Sequence, residues 1–190
     1  MSSNVIGEKV MTEPVETTSG LITGTWTYNG YEFKGIPYAH AERFKAPVPS
    51  HWDGVRECTS FSKRAFQITD DLSLCDEDCL SLNIYTPDLY GSYPVLVDIH
   101  GGGFQGGCNA GPYSHPERFL HDQNIIYIPI QYRLGVWGYL YLGEELGEEY
   151  ATSGNNGTLD QIAALKWVMK NVCLRLNLNT SSHTSLHHQI

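Results

Sequence analysis

The sequence has no long hydrophobic run. Its first residues contain no apolar stretch of the length found in secretory signals, and no later run is long enough to cross a bilayer. We therefore expect a protein without a membrane span that is cytoplasmic by default, or secreted if the true N-terminus lies upstream of Met1. Matches to the glycosylation pattern at Asn156 and Asn179 are interpreted as chance, because that modification requires secretion.

Basic residues are also few. The chain of 190 residues has 12 lysines and arginines against 21 aspartates and glutamates, which gives a formal net charge of −9. With this balance and no basic cluster, nucleic acid and anionic membrane surfaces are poor partners. The hydrophobic fraction of 41% is instead typical of a globular protein with a packed core.

Patterns that would hold a metal or a cofactor are missing as well. The five cysteines are an odd number, so no complete disulfide framework is implied. His183, His187 and His188 could form a metal site on paper, but no acidic or cysteine ligand lies near them in the sequence. A polar Ser/Thr/His tail is more often disordered. We predict no metal site and no cofactor.

What the sequence does have is the stretch from Pro94 to Gly107, which reads PVLVDIHGGGFQGG. A short apolar run that stops at His100 and is closed by glycines predicts a buried strand entering a tight turn. Successive glycines leave backbone N–H groups uncovered and free to adopt positive φ, so the turn can direct two adjacent amides at a developing oxyanion. This HGGG pattern is typical of lipases and esterases, although many glycine runs after a strand are plain turns.

The other strand patterns predict an α/β protein with a mixed sheet. Asn29-Gly30 lies between β-forming segments and is a strong hairpin signal. Leu80–Tyr85 alternates apolar with polar residues, which predicts a strand with one buried face. The apolar run from Asn124 to Tyr132 predicts another strand, in which Pro129 should mark a bulge or an edge.

One helix is predicted with a defined start and a defined buried face. Thr158 and Gln161 have the spacing of a capping box, and the helix should end near Val172. Apolar residues at helical spacing should form its buried face: Ile162, Leu165, Met169 and Val172. Strands and a helix in this order indicate an α/β architecture.

Six segments in this order resemble the type-B carboxylesterases, the family that includes the cholinesterases and the non-catalytic neuroligins. They are FKGIPY (33–38), RFKAP (43–47), EDCLSLNIYTP (77–87), HGGGF (100–104), QYRLGVWG (131–138) and GNNGTLDQIAALKWV (154–168). The resemblance implies the N-terminal part of an α/β-hydrolase fold over residues 19–173, truncated before the nucleophile elbow. Residues 1–18 are predicted to be a flexible leader, and residues 174–190 a divergent tail.

The resemblance also implies an active-site turn. Gly102 and Gly103 match the two oxyanion-hole amides of the family, and His100, Gly101 and Phe104 match the residues that support that loop. In its full-length form such a protein hydrolyses small-molecule carboxylic esters through a serine acyl-enzyme.

Structural pairs are implied in the same way. Arg43 with Glu77, and Arg133 with Asp160, match two structural ion pairs, although charged residues at such positions can also be merely solvated. Cys79 matches one half of a disulfide. Its partner would be Cys58 or Cys75, and free thiols are the alternative in a reducing compartment.

The chain departs from the family pattern near its end. No GxSxG elbow occurs, and His188 lies near the position where the nucleophilic serine would stand. With the serine, the acid and the histidine all missing, we expect this polypeptide to be inactive alone, and a non-catalytic, neuroligin-like binding protein is the alternative function. Leu174–Leu178 alternates like a strand and could cover the sheet edge beside the HGGG strand. If it does not, that edge favours self-association.

Overall fold

The computed structural model describes residues 10–68, 71–110, 116, 120 and 124–173. Eleven strands lie in these ranges: β1 Val10–Met11, β2 Val15–Glu16, β3 Leu21–Thr23, β4 Thr25–Thr27, β5 Gly30–Pro37, β6 Ala39–His40, β7 Val48–Pro49, β8 Val55–Glu57, β9 Ser81–Thr86, β10 Val95–Ile99 and β11 Ile126–Ile130. Three α-helices follow: α1 Gly135–Tyr139, α2 Gly143–Leu146 and α3 Asn156–Val168, which continues as a π-helical turn, Met169–Cys173. No helix in these ranges has the length and apolarity needed to span a membrane.

The central sheet has six strands in the order β1-β4-β5-β9-β11-β10, and it is mixed. Strands β4, β5, β9 and β11 pair antiparallel in turn, whereas β10 and β11 are parallel, with Val95 opposite Ile126 and Ile99 opposite Ile130. A smaller sheet joins β2, β3 and β8, and a ribbon joins β6 and β7. The parallel pair matters for function because it brings the carboxyl ends of β10 and β11 to one edge.

The N-terminal segment is more structured than predicted. Residues 10–18, assigned from the sequence to a flexible leader, contain β1, which pairs with β4, and β2, which pairs with β3. Trp167 Nε1 in α3 donates a hydrogen bond to Ser19 Oγ at 3.0 Å, and the backbone N–H of Thr18 donates to Asn171 Oδ1 at 2.6 Å. These contacts hold the segment against the end of α3. The predicted tail, 174–190, lies outside the described residues.

The hairpin at Asn29 is confirmed, with its turn displaced by one residue. Thr27 and Gly30 are paired, so Tyr28 and Asn29 form the turn and Gly30 begins β5 with φ of +120°. Only glycine adopts that conformation readily, which explains why the Asn-Gly signal marks this position.

The central strands are buried differently from the predictions. All six residues of β9 are buried, not one face alone, because β9 lies between β5 and β11. Pro129 marks neither an edge nor a bulge: β11 is an interior strand, and its register with β9 is the same at Tyr127 and Ile130, on either side of the proline. Strand β10 is half-buried, and within the described part of the chain it pairs only with β11.

The predicted start of the helix is wrong, and its predicted buried face is only partly right. Helix α3 begins at Asn156, two residues before Thr158, and Asn155 at its N-cap makes no side-chain capping bond. Of the predicted face, Val172 is buried, whereas Ile162 and Met169 are exposed. The buried residues of the helix also include Asp160, Ala164, Trp167 and Val168. The buried face therefore includes a carboxylate and an alanine beside Trp167 and Val168, so apolar spacing alone misplaces the inner face of the helix.

Candidate active site

The glycine turn begins where β10 ends, at the edge formed by the carboxyl ends of β10 and β11. Residues 101–105 are exposed. Crevices at this edge of α/β sheets are the usual place for ligands. The turn therefore lies where the sequence predicts a site.

Backbone conformation in the turn requires glycine. Gly102 has φ of +120° and Gly103 has φ of +59°. The carbonyl of Gly102 accepts hydrogen bonds from the N–H of Gln105 at 3.0 Å and of Gly106 at 3.3 Å. A Cβ on residue 102 would lie 2.0 Å from the carbonyl oxygen of Gly106, so the turn closes more tightly than any side chain permits.

The two central amides of the turn have no hydrogen-bond partner in the part of the chain that the structure describes. Within the described residues, no hydrogen bond uses the N–H of Gly102 or of Gly103, and both residues are exposed. Adjacent N–H groups in left-handed backbone form concave anion sites. Both donors are therefore available to an oxygen that approaches from solvent.

The side chain of His100 contacts the backbone at the start of the turn. Its Nδ1 lies 3.0 Å from the carbonyl oxygen of Gly101, and because that oxygen can only accept, Nδ1 carries the proton. The ring stacks on Tyr132 at 4.6 Å, and the hydroxyl of Tyr132 donates to the His100 carbonyl at 2.9 Å. Burial raises the pKa of Tyr132 to about 12, so this hydroxyl remains a donor.

Protonation of His100 should destabilise the folded chain. Burial lowers the pKa of His100 below its ordinary value, and the Nε2 that would take the proton is buried without a partner among the described residues. In the unfolded chain His100 has an ordinary pKa of about 6.5, so as the pH drops the unfolded state binds the proton before the folded state does. The free energy of unfolding therefore decreases as the pH is lowered. We expect the melting temperature to fall less in His100→Gln than in the parent between pH 7.5 and pH 5.5. The exposed His51→Gln is the control, and equal falls in all three proteins would contradict the prediction.

Phe104 closes the other side of the turn. It has φ of +61°, which is strained for a residue with a side chain, and its carbonyl accepts a hydrogen bond from the N–H of Gly135 at 2.7 Å. Its ring packs against Tyr139 at 4.9 Å between centroids. These contacts join the turn to α1.

A buried polar network that the sequence analysis missed anchors the end of the loop. Asn109 lies at its centre: its N–H donates to Gln131 Oε1 at 3.2 Å, its Nδ2 donates to the Ser81 carbonyl at 3.2 Å, and its carbonyl accepts from Asn83 Nδ2 at 3.0 Å. Tyr38 donates its hydroxyl hydrogen to the Gln131 carbonyl at 2.6 Å. A polar residue inside an apolar strand sequence, such as Asn83, is the sequence feature that could have indicated this network. Buried polar groups need hydrogen-bond partners, so such a residue implies others nearby.

Arg133 and Asp160 form a buried ion pair. Arg133 Nε and Nη2 donate to the two carboxylate oxygens at 2.8 Å each, and the side chains are 5% and 0% exposed. Arg133 also donates through Nη1 to the Lys45 carbonyl at 2.8 Å. Burial raises the pKa of Asp160 although the bonds from Arg133 oppose that rise. The pair joins the segment after β11 to the start of α3.

Arg43 and Glu77 also pair, at the surface. Arg43 Nε lies 2.9 Å from both oxygens of Glu77, and its Nη2 donates to Oε1. The hydrogen bond from Arg43 is the main cause that lowers the pKa of Glu77. Since the Arg43 side chain is 65% exposed, solvent screens this pair.

The predicted disulfide of Cys79 with Cys58 or Cys75 is not formed. All three are buried free thiols, and Cys108 is a fourth free thiol. Cys58 and Cys79 belong to the hydrophobic core, where free cysteine behaves as a small apolar residue. Burial raises the pKa of Cys79, and that of Cys58 to about 11, so neither sulfur is a nucleophile near neutral pH. Among the described residues, no cluster of potential ligands could hold a metal ion.

Comparison with known proteins finds one family. A sequence model of the carboxylesterase family matches residues 11–174. Over 85% of this chain, the para-nitrobenzyl esterase of Bacillus subtilis is 38% identical, and over 88% the carboxylesterase 1C of Mus musculus is 36% identical. The chain spans 35% and 34% of the length of these relatives.

Solved structures give the same result. The Geobacillus stearothermophilus carboxylesterase EST55 superposes with a TM-score of 0.77 and 41% identity, over 84% of this chain and 35% of that one. An esterase of Clostridium hathewayi superposes with a TM-score of 0.78 and 34% identity, over 87% and 36% respectively. The predicted fold class, the N-terminal part of an α/β-hydrolase fold, is confirmed.

Proposed function

Since this chain belongs to the carboxylesterase family, we propose that it carries the oxyanion-binding part of a carboxylic ester hydrolase whose substrates are small-molecule esters. One observation carries the proposal: Gly102 and Gly103 are exposed residues whose N–H groups have no hydrogen-bond partner among the described residues. They lie at the sheet edge where an α/β-hydrolase binds its ligand.

The chemistry follows from what these amides can do. When a nucleophile attacks an ester carbonyl, the C=O π electrons move to oxygen and leave a negative charge there. N–H groups already directed at that oxygen stabilise the charge without reorganising, and losing one such donor costs an enzyme about 10²–10³ in kcat. Gly102 and Gly103 would supply two of these donors, with His100, Gly101 and Phe104 holding their backbone in place.

The covalent step needs a nucleophilic serine together with a base and an acid. No GxSxG sequence occurs in these 190 residues, so they offer no elbow serine to form the acyl-enzyme. Oxyanion donors without a nucleophile and base give only a small residual rate enhancement. We propose that this polypeptide alone does not turn over esters, and that a form carrying the serine, acid and histidine would.

The test uses the tetrahedral anion methylphosphonate and the ¹⁵N-labelled chain. Saturable shifts of the Gly102 and Gly103 amide resonances are expected, with the exposed Gly54 unmoved, and the same preparation should hydrolyse 4-nitrophenyl acetate no faster than a heat-denatured sample. Equal shifts at all three glycines would contradict the oxyanion site. Ester turnover abolished by an organophosphate would contradict the inactivity of the chain alone.

A further inference from the structure

A glutamine that is distant in sequence from the glycine turn binds the backbone at the C-terminal end of the turn. Gln67 lies between β8 and β9, forty residues before Gly107. Its Nε2 donates to the Gly107 carbonyl at 2.8 Å, and its Oε1 accepts from the Gly107 N–H at 2.9 Å. The same Nε2 donates to the Ala65 carbonyl at 3.1 Å. A carboxamide is the side chain that offers both a donor and an acceptor to one backbone unit.

Gly107 is in direct contact with the start of the turn. It has φ of +118°, and a Cβ there would lie 2.2 Å from His100 Nδ1 and 2.6 Å from the Gly101 carbonyl oxygen. The backbone of Gly107 therefore lies too close to the two residues that precede Gly102 to leave room for a side chain. Any rotation of Gly107 would move His100 and Gly101, and with them the direction of the Gly102 N–H.

The segment that carries Gln67 is itself fixed. Ala65 is 1% exposed, and the Phe66 ring stacks on Trp137 of α1 with 5.1 Å between centroids. The same helix begins at Gly135, whose N–H binds the Phe104 carbonyl. The turn is thus held at Phe104 by α1 and at Gly107 by Gln67, whose neighbour Phe66 packs on α1.

We propose that Gln67 is a positioning residue for the oxyanion amides: its carboxamide fixes Gly107, and Gly107 fixes the backbone that directs the N–H groups of Gly102 and Gly103. This inference rests on the function proposed above. Gln67 itself does not touch the oxyanion, so its effect should appear in the orientation of the amides.

The test compares three variants of the ¹⁵N-labelled chain. Gln67→Met keeps the length of the side chain and removes both hydrogen bonds. Gln67→Glu keeps the acceptor for the Gly107 N–H and loses the donor. Gln161→Met makes the same change as the first variant on α3, away from the turn.

In Gln67→Met, exchange of the Gly107 amide should accelerate about tenfold, as expected for a lost hydrogen bond. The Gly102 and Gly103 resonances should shift while that of Ile128 in β11 stays in place, and methylphosphonate should bind more weakly. Gln67→Glu turns a carboxylate oxygen towards the Gly107 and Ala65 carbonyls, which can only accept, so it should shift both glycine resonances at least as far as Gln67→Met does. Gln161→Met should shift neither.

Unmoved Gly102 and Gly103 resonances in Gln67→Met would overturn the inference, and so would shifts spread equally over β11, because these would report a general loss of stability. The two proposals fail separately. If the parent chain binds no methylphosphonate but Gln67→Met still moves both glycines, the oxyanion site is wrong and the positioning role stands.

Discussion

The Asp160→Asn variant is expected to lose about 3–5 kcal/mol of its free energy of unfolding, the usual effect of removing one partner from a buried ion pair. The substitution preserves shape but leaves the buried Arg133 charge without a counter-ion. It also turns an amide N–H₂ towards groups that can only donate, since Arg133 contacts the carboxylate through Nε, Nη2 and its backbone N–H. A domain of this size has about 5–15 kcal/mol in total, so the loss is a large part of its stability.

The measurement is urea denaturation followed by circular dichroism, and the chain offers a matched control. Glu77→Gln makes the same isosteric change in the exposed pair with Arg43, which solvent screens. Its unfolding midpoint should move far less than that of Asp160→Asn. Equal midpoints for the two variants would contradict the prediction, because they would show that breaking the buried pair costs no more stability than breaking the exposed one.

The direction of the Asp160 pKa explains what this pair contributes. Burial raises that pKa and the hydrogen bonds from Arg133 oppose the rise, so desolvation of the carboxylate offsets part of the attraction. Such a pair adds little net stability, yet breaking it is costly. We infer that its role is to fix position. It holds the start of α3 against the segment after β11, and that segment contains Tyr132, on which His100 stacks.

Local chemistry explains which features the sequence could predict. The hairpin at Asn29 and the turn at Gly102 both require positive φ. Glycine adopts positive φ most readily, so these turns are visible in the sequence as glycines. Arg133 and Asp160 were found through a family resemblance, because nothing local distinguishes a paired charge from a solvated one.

Features that depend on distant contacts could not be predicted. The inner face of α3 includes Asp160, which polarity alone assigns to solvent, and its burial depends on a partner 27 residues away. Pro129 lies inside the sheet opposite Asp98 of β10, although a proline has no N–H to donate to a ladder, and no local pattern in the sequence indicates that position. Gln67 and Asn109 bind backbone groups across 40 and 28 residues, so no window of neighbouring sequence contains both partners.

The Gly102→Ala variant is expected to lose about 2–3 kcal/mol and to change the shape of the turn, because φ of +120° is nearly exclusive to glycine. The new Cβ would also meet the Gly106 carbonyl oxygen at 2.0 Å. That atom belongs to the backbone and cannot rotate away, so the hydrogen bonds that Gln105 and Gly106 donate to the Gly102 carbonyl must break.

Gly103→Ala is the matched control, since the two glycines are adjacent and both exposed but differ in the room that each leaves for a Cβ. A Cβ on residue 103 meets nothing within 4 Å, and φ of +59° costs an alanine only about 1 kcal/mol. Thermal melting should therefore rank parent, Gly103→Ala and Gly102→Ala in falling order, and methylphosphonate binding should be lost in Gly102→Ala alone. Because both variants keep the amide N–H at the substituted residue, loss of binding in Gly102→Ala would identify the direction of the N–H groups as what the glycine turn provides. Equal binding by both variants would show instead that the turn can hold its donors in more than one conformation.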